Sequence, residues 1–156
     1  MRSYARENTA LAWVFVGAAL VAGADSAKEE AIKKDRAEYE GTWQVVSVEM
    51  NGKKTAAEDA RKITVLNQGD TWIVQVEGKE VARGTSKIDP TKKPKTIDFT
   101  PTKGPQEGNL FFGIYALEGD SRKLCFAAQP GKDRPTEFAS KAGREHCLVI
   151  FERVKK

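Results

Sequence analysis

From Gly41 to the end of the chain, the sequence runs in short stretches of alternating apolar and polar residues, each stopped by a turn signal. A period of two puts successive side chains on opposite faces of a strand, so each run buries one face and wets the other. Trp43 to Met50 is β-branched and aromatic, and the Asn51-Gly52 pair behind it is what a two-residue hairpin turn favours. Ile63 and Val65 alternate with Lys62 and Thr64 up to Gly69-Asp70, and Thr55 to Arg61 has room for one helical turn. Trp72, Val74 and Val76 then share a face opposite Thr71, Gln75 and Glu77, which predicts a half-buried hairpin. A chain of many short strands joined by tight turns must dispose of its sheet edges, and closing the sheet on itself removes them all.

The second half continues the pattern. In Val81 to Ile88 the charges Arg83 and Lys87 fall on one face, while Ala82, Gly84, Ser86 and Ile88 fall on the other. Small residues on an inward face leave room for a neighbour's large side chain or for a ligand, and the sequence fits both. Pro90 and Pro94 lack the amide proton a ladder needs, so Asp89 to Lys95 is a basic hairpin loop. Ile97 and Phe99 make a short strand, and Pro101 to Asn109 reads as a Gly- and Pro-rich loop. Leu110 to Leu117 is apolar on both faces, which predicts a strand covered on both sides. Leu124-Cys125-Phe126 and Cys147 to Val154 are the last strands, separated by the long Gln129 to Glu145 connection. The expected fold is all-β, an up-and-down antiparallel barrel of about eight strands spanning 41–156 as one domain. A two-sheet sandwich is the alternative.

The N-terminus reads differently. Arg2 and Arg6 precede an apolar run from Ala10 to Gly23, and Ala22-Gly23-Ala24 has the small-x-small pattern of a cleavage site. Residues 1–24 are therefore expected to be a signal peptide, its apolar run being shorter than the roughly 20 residues of a spanning helix. The mature chain is expected to be exported, periplasmic or secreted, with no stable membrane insertion after cleavage. Residues 25–40, rich in Glu, Lys and Ala, read as a short helix or linker. A helix there would pack Ile32 and Tyr39 as a lid over a barrel end, whereas a linker would be solvated.

Gly41-Thr42-Trp43 at the start of the domain and Arg153 on its last strand resemble the paired signature of lipocalin and calycin barrels. In those barrels a tryptophan of the first strand packs beneath a basic residue of the closing strand. The text from Gly41-Thr42-Trp43-Gln44-Val45-Val46-Ser47 through Asp89-Pro90-Thr91-Lys92-Lys93-Pro94-Lys95, Gly113-Ile114-Tyr115, Leu124-Cys125-Phe126 and Arg134-Pro135-Thr136-Glu137-Phe138 is similar to small exported lipocalin-like domains of planctomycete-type bacteria. The resemblance covers about 41–154. It implies barrel closure by Gly41, Trp43 and Arg153, and a lipocalin-type interior suited to a small hydrophobic molecule.

Several chemistries are excluded by what the chain lacks. His146 is the one histidine, so there is no His-His metal pair and no second imidazole for a proton relay. His146 and Cys147 are sequence neighbours, and neighbours on a strand point to opposite faces, which argues against a Cys-His nucleophile. No nucleophile elbow, phosphate-binding loop or dinucleotide fingerprint is present. We therefore expect no enzyme activity, no cofactor and no metal. The formal charge is +4, and loss of the first 24 residues removes two arginines and one glutamate, leaving about +3. Lys and Glu are interspersed along the chain, so a mixed solvated surface is expected rather than a nucleic-acid face.

Cys125 and Cys147 fall on strands expected to be neighbours, where they either form a disulfide or act as two separate buried thiols. Strand parity nominates Trp72, Gly84, Ser86, Phe99, Phe112, Phe126 and Phe151 as lining of the barrel interior. These residues would surround a ligand in a carrier or fill the barrel of a cell-envelope interaction module.

Overall fold

The computed structural model describes residues 17–155, with side chains from Gly23 onward. The basic start of the expected leader and the first part of its apolar run lie outside the described residues. A helix α1 (Gly17–Tyr39) leads into β1 (Gly41–Met50), followed by β2 (Lys53–Lys54), α2 (Ala57–Ala60), β3 (Ile63–Gln68), β4 (Thr71–Val76) and β5 (Lys79–Asp89). The chain continues through β6 (Lys95–Lys103), β7 (Phe111–Glu118), β8 (Ser121–Ala127) and β9 (His146–Arg153). Helix α1 starts before residue 25, where the short helix or linker is expected to begin, and no helix among the described residues is long and apolar enough to cross a membrane.

From β3 to β9 each strand pairs antiparallel with the next, and β9 returns to β1 over Trp43↔Arg153 to Met50↔Cys147. That pairing closes an eight-stranded up-and-down barrel, with β2 as an extra stub folded onto the end of β1. The strands form one continuous closed sheet rather than the two sheets of a sandwich. β1 meets β3 only through Gly41 to Gln44, and α2 packs where the two strands part, with Ala60 fully buried. Gln44 bridges the same gap, its amide donating to the Ile63 carbonyl at 2.8 Å.

Strand β6 runs on to Lys103, past the point where a proline-rich loop is expected. Beyond Phe99 it pairs with β5 alone, since its ladder to β7 ends at Phe99↔Phe111. A strand edge tolerates proline, so Pro101 fits there opposite Gly84.

Helix α1 closes one end of the barrel. Buried Asp35 accepts hydrogen bonds from Lys95 Nζ at 2.7 Å and from the Tyr115 hydroxyl at 2.8 Å. Arg36 donates to Ser86 Oγ at 2.9 Å, and the Tyr39 ring meets Tyr115 edge-on at 5.7 Å. Tyr39 is buried with Ile88, Ile97 and Tyr115, and Ile32 packs against them, so the C-terminal half of the helix is a lid. The other end of the barrel, where the β6–β7 connection and the short helix α2 lie, is not covered by α1.

Outside the barrel, the Gln129 to Glu145 connection is strapped across β6, β7 and β8. Arg134 donates to the carbonyls of Gly113 (2.7 Å) and Ile97 (3.1 Å) and pairs with Asp98 at 2.6 Å. Pro135 is fully buried, and the Cys125 thiol donates to the Ala139 carbonyl at 3.5 Å. This strap explains why β7 is apolar on both faces: Ile114, pointing outward, is 1% exposed.

Candidate functional site

Inside the barrel is a cavity of about 440 Å³. Val45, Val65, Val74, Leu124, Phe126 and Val149 are among its wall residues, contributed in turn by β1, β3, β4, β8 and β9. Lys103, Pro105 and Gln106 stand at the end of the β6–β7 connection, and Tyr39, Asn67 and Arg122 at the end capped by α1. Cavities of roughly 300 to 1,000 Å³ with mostly apolar walls and a few polar groups are the usual form of a small-molecule site. A second recess of about 530 Å³ lies between α1 and β5, with mixed walls that include Ile32 and Ile88 as well as charged side chains, bridged by Lys28 and Asp89 at 3.3 Å.

Four of the seven residues nominated by parity line the inner cavity: Trp72, Phe99, Phe126 and Phe151. Three do not. Phe112 is on the outer face, paired with Asp98 and lying under the Arg134 guanidinium, 5.1 Å from its ring centroid. Its neighbour Phe111 takes the inward position, stacked on Phe99 with centroids 5.1 Å apart. Gly84 faces inward, but the space above it is filled by a neighbour: a Cβ there would sit 2.3 Å from Trp72 Cζ2. Ser86 is taken up in holding α1 through Arg36.

The closing residues meet as expected. The Arg153 guanidinium stacks 4.3 Å from the Trp43 ring centroid, and the Trp43 indole N–H donates to the Tyr39 carbonyl at 2.9 Å. Gly41 has φ +113, and a Cβ on it would come within 3.3 Å of Arg153 Nη1. A side chain at Gly41 would therefore meet both backbone strain and the guanidinium.

Cys125 and Cys147 sit on adjacent strands but on opposite faces. Cys125 is opposite Leu148, whereas Cys147 is opposite Phe126, one residue out of step. Cys147 points into the core with Val149 and Phe151, and Cys125 points outward beneath the strap. Both are free thiols, and the geometry of opposed Cβ vectors gives no route to a bridge without moving the backbone. Burial pushes the Cys147 thiol up to about 12 and also raises Cys125.

The residue that sequence reasoning missed is Arg122. It is inward-facing on β8, 1% exposed, and its guanidinium is surrounded by the rings of Phe151 (4.0 Å), Tyr39 (4.4 Å) and Trp43 (4.7 Å). One nitrogen, Nη1, donates to Asn67 Oδ1 at 2.7 Å, while Nε has no partner. Burial lowers its pKa; Tyr39 opposes the effect and Arg153 adds to it. Parity gives the signal: Arg122 is in phase with Leu124 and Phe126, two inward residues of the same strand.

Among the described residues, no group of three or more His, Cys, Asp or Glu side chains is placed to hold a metal ion. No protein family, curated protein or solved structure matches the chain. Function is therefore read from the cavity itself.

Proposed function

We propose that this protein is an exported lipocalin-like carrier that holds a small, largely apolar molecule inside its barrel. The supporting observation is the cavity of about 440 Å³, apolar along its walls, capped at one end by α1 and reached from the other. A barrel built only as a scaffold gains from filling its lumen, because each unfilled volume forfeits packing energy of about 24 cal/mol per Å³. Leaving that volume unfilled is costly unless something else occupies it.

The resemblance of the Gly41–Trp43 and Arg153 signature to lipocalin-type barrels supports the same reading, and the expected leader supports export. Fold alone carries no function, so the cavity is the stronger argument.

The test is uptake of the neutral fluorescent probe N-phenyl-1-naphthylamine. Saturable uptake with one site per chain is expected, together with loss of uptake in Val74→Phe, which puts a ring into the lumen. No saturable uptake by the native protein, or uptake unaffected by Val74→Phe, would favour a filled interaction module over a carrier.

A further inference from the structure

We infer that the molecule carried in the barrel bears a carboxylate, and that Arg122 at the capped end of the cavity is the group that receives it. The inference rests on the carrier reading above and adds the chemical class of the ligand.

Lys95 is paired with Asp35 at 2.7 Å and Arg134 with Asp98 at 2.6 Å, although each is more exposed than Arg122. Arg122 is the most deeply buried of the three, yet none of the ion pairs among the described residues includes it. Buried charges are ordinarily paired, because an unpaired one forfeits its hydration without compensation. Three aromatic rings and one amide oxygen provide part of that compensation. They leave Nε unsatisfied and supply no negative charge.

The shape of the site selects among anions. A guanidinium presents parallel N–H groups along an edge, matched by the two oxygens of a carboxylate. Nη1 is held by Asn67, which fixes one edge of the fork and leaves Nε on the other. Asn67 spends its oxygen on Arg122, so its amide nitrogen remains as a donor beside the same acid. The wall residues Val65, Leu124, Phe126 and Val149 suit an aliphatic or aromatic body attached to that acid. The other cation lining the cavity, Lys103, is at the opposite end, beside the β6–β7 connection, and is paired with Glu80 at 3.3 Å.

Displacement of N-phenyl-1-naphthylamine by decanoic acid and by 1-decanol at neutral pH, two ligands of equal chain length and different head, tests the inference. In the native protein the acid is expected to displace the probe at a concentration at least about tenfold lower than the alcohol, a difference of about 1.4 kcal/mol. Arg122→Gln should bring the two together, and Lys103→Gln should leave the gap intact. Equal displacement by acid and alcohol in the native protein overturns the inference while leaving the carrier reading standing. A gap that survives Arg122→Gln and vanishes in Lys103→Gln overturns it in favour of the entrance lysine. Should Arg122→Gln fail to fold, the native comparison together with Lys103→Gln decides. Failure of the native protein to take up the probe at all overturns the carrier reading and this inference with it.

Discussion

Arg153 stacks on Trp43 from the closing strand and, from the same guanidinium, donates to the carbonyls of Glu38 and Glu40 at the end of α1. One side chain thus joins the last strand, the first strand and the helix that caps the barrel. A cation over an indole is worth roughly 0.5 to 2 kcal/mol, and a hydrogen bond from a charged donor a comparable amount. Arg153→Leu is expected to lower the unfolding free energy by about 2 kcal/mol in urea melts. A change under about 0.5 kcal/mol, the level of an ordinary surface substitution, would contradict the role assigned to it.

Gly84 is expected to resist substitution for a steric reason. An added Cβ would lie 2.3 Å from both Trp72 Cζ2 and the Thr100 carbonyl oxygen, and backbone does not yield as a flexible side chain does. Gly84→Ala should cost about 1 to 3 kcal/mol. It should also alter tryptophan fluorescence, because the indole of Trp72 must move. A variant with native stability and spectrum would contradict the packing described.

The two cysteines should behave as inaccessible thiols. Intact-mass measurement without reductant is expected to give the mass of the fully reduced chain, and both thiols should react with a thiol reagent only after denaturation. Loss of two mass units, reversed by reductant, would mean that the strands can shift register to form a bridge.

Cys147 also makes a pH prediction. Its folded-state pKa is raised to about 12 by burial, above its unfolded value near 9, so the neutral thiol is favoured by folding. Its contribution to stability is complete below about pH 9 and is lost as pH rises towards 12, by at most about 1.4 kcal/mol per pH unit. Cys147→Val should therefore flatten the alkaline fall in stability. Parallel stability profiles for the two proteins between pH 8 and 11 would contradict it. Tyr115, raised by burial and by its bond to Asp35, adds a further alkaline loss above its ordinary value of 10 in both proteins.

The barrel was legible because its strands alternate cleanly and because β1 and β9 each carry half of a recognisable pair, Trp43 and Arg153. The lining was legible only where one face was polar. In β5 the charges Arg83 and Lys87 mark the outside, and Ala82 and Ile88 duly face inward. In β7 both faces are apolar, so alternation gives no preference between Phe111 and Phe112. The choice is made by pairing with Phe99 and by the strap over Phe112, both long-range. Arg122 escaped for the opposite reason. Next to the Glu118-Gly119-Asp120 turn an arginine reads as solvated, and only its phase with Leu124 and Phe126 points inward. Ser86 was placed on the correct face, but its partner Arg36 is 50 residues away on a helix whose role the sequence left open.

Whether this barrel is a vessel is decided by native mass spectrometry of the protein purified from its own host. The expected species is a complex heavier than the polypeptide by the mass of one small organic molecule, released by gentle activation to leave the bare chain. Bare polypeptide throughout, unchanged after incubation with decanoic acid or 1-decanol, would contradict it.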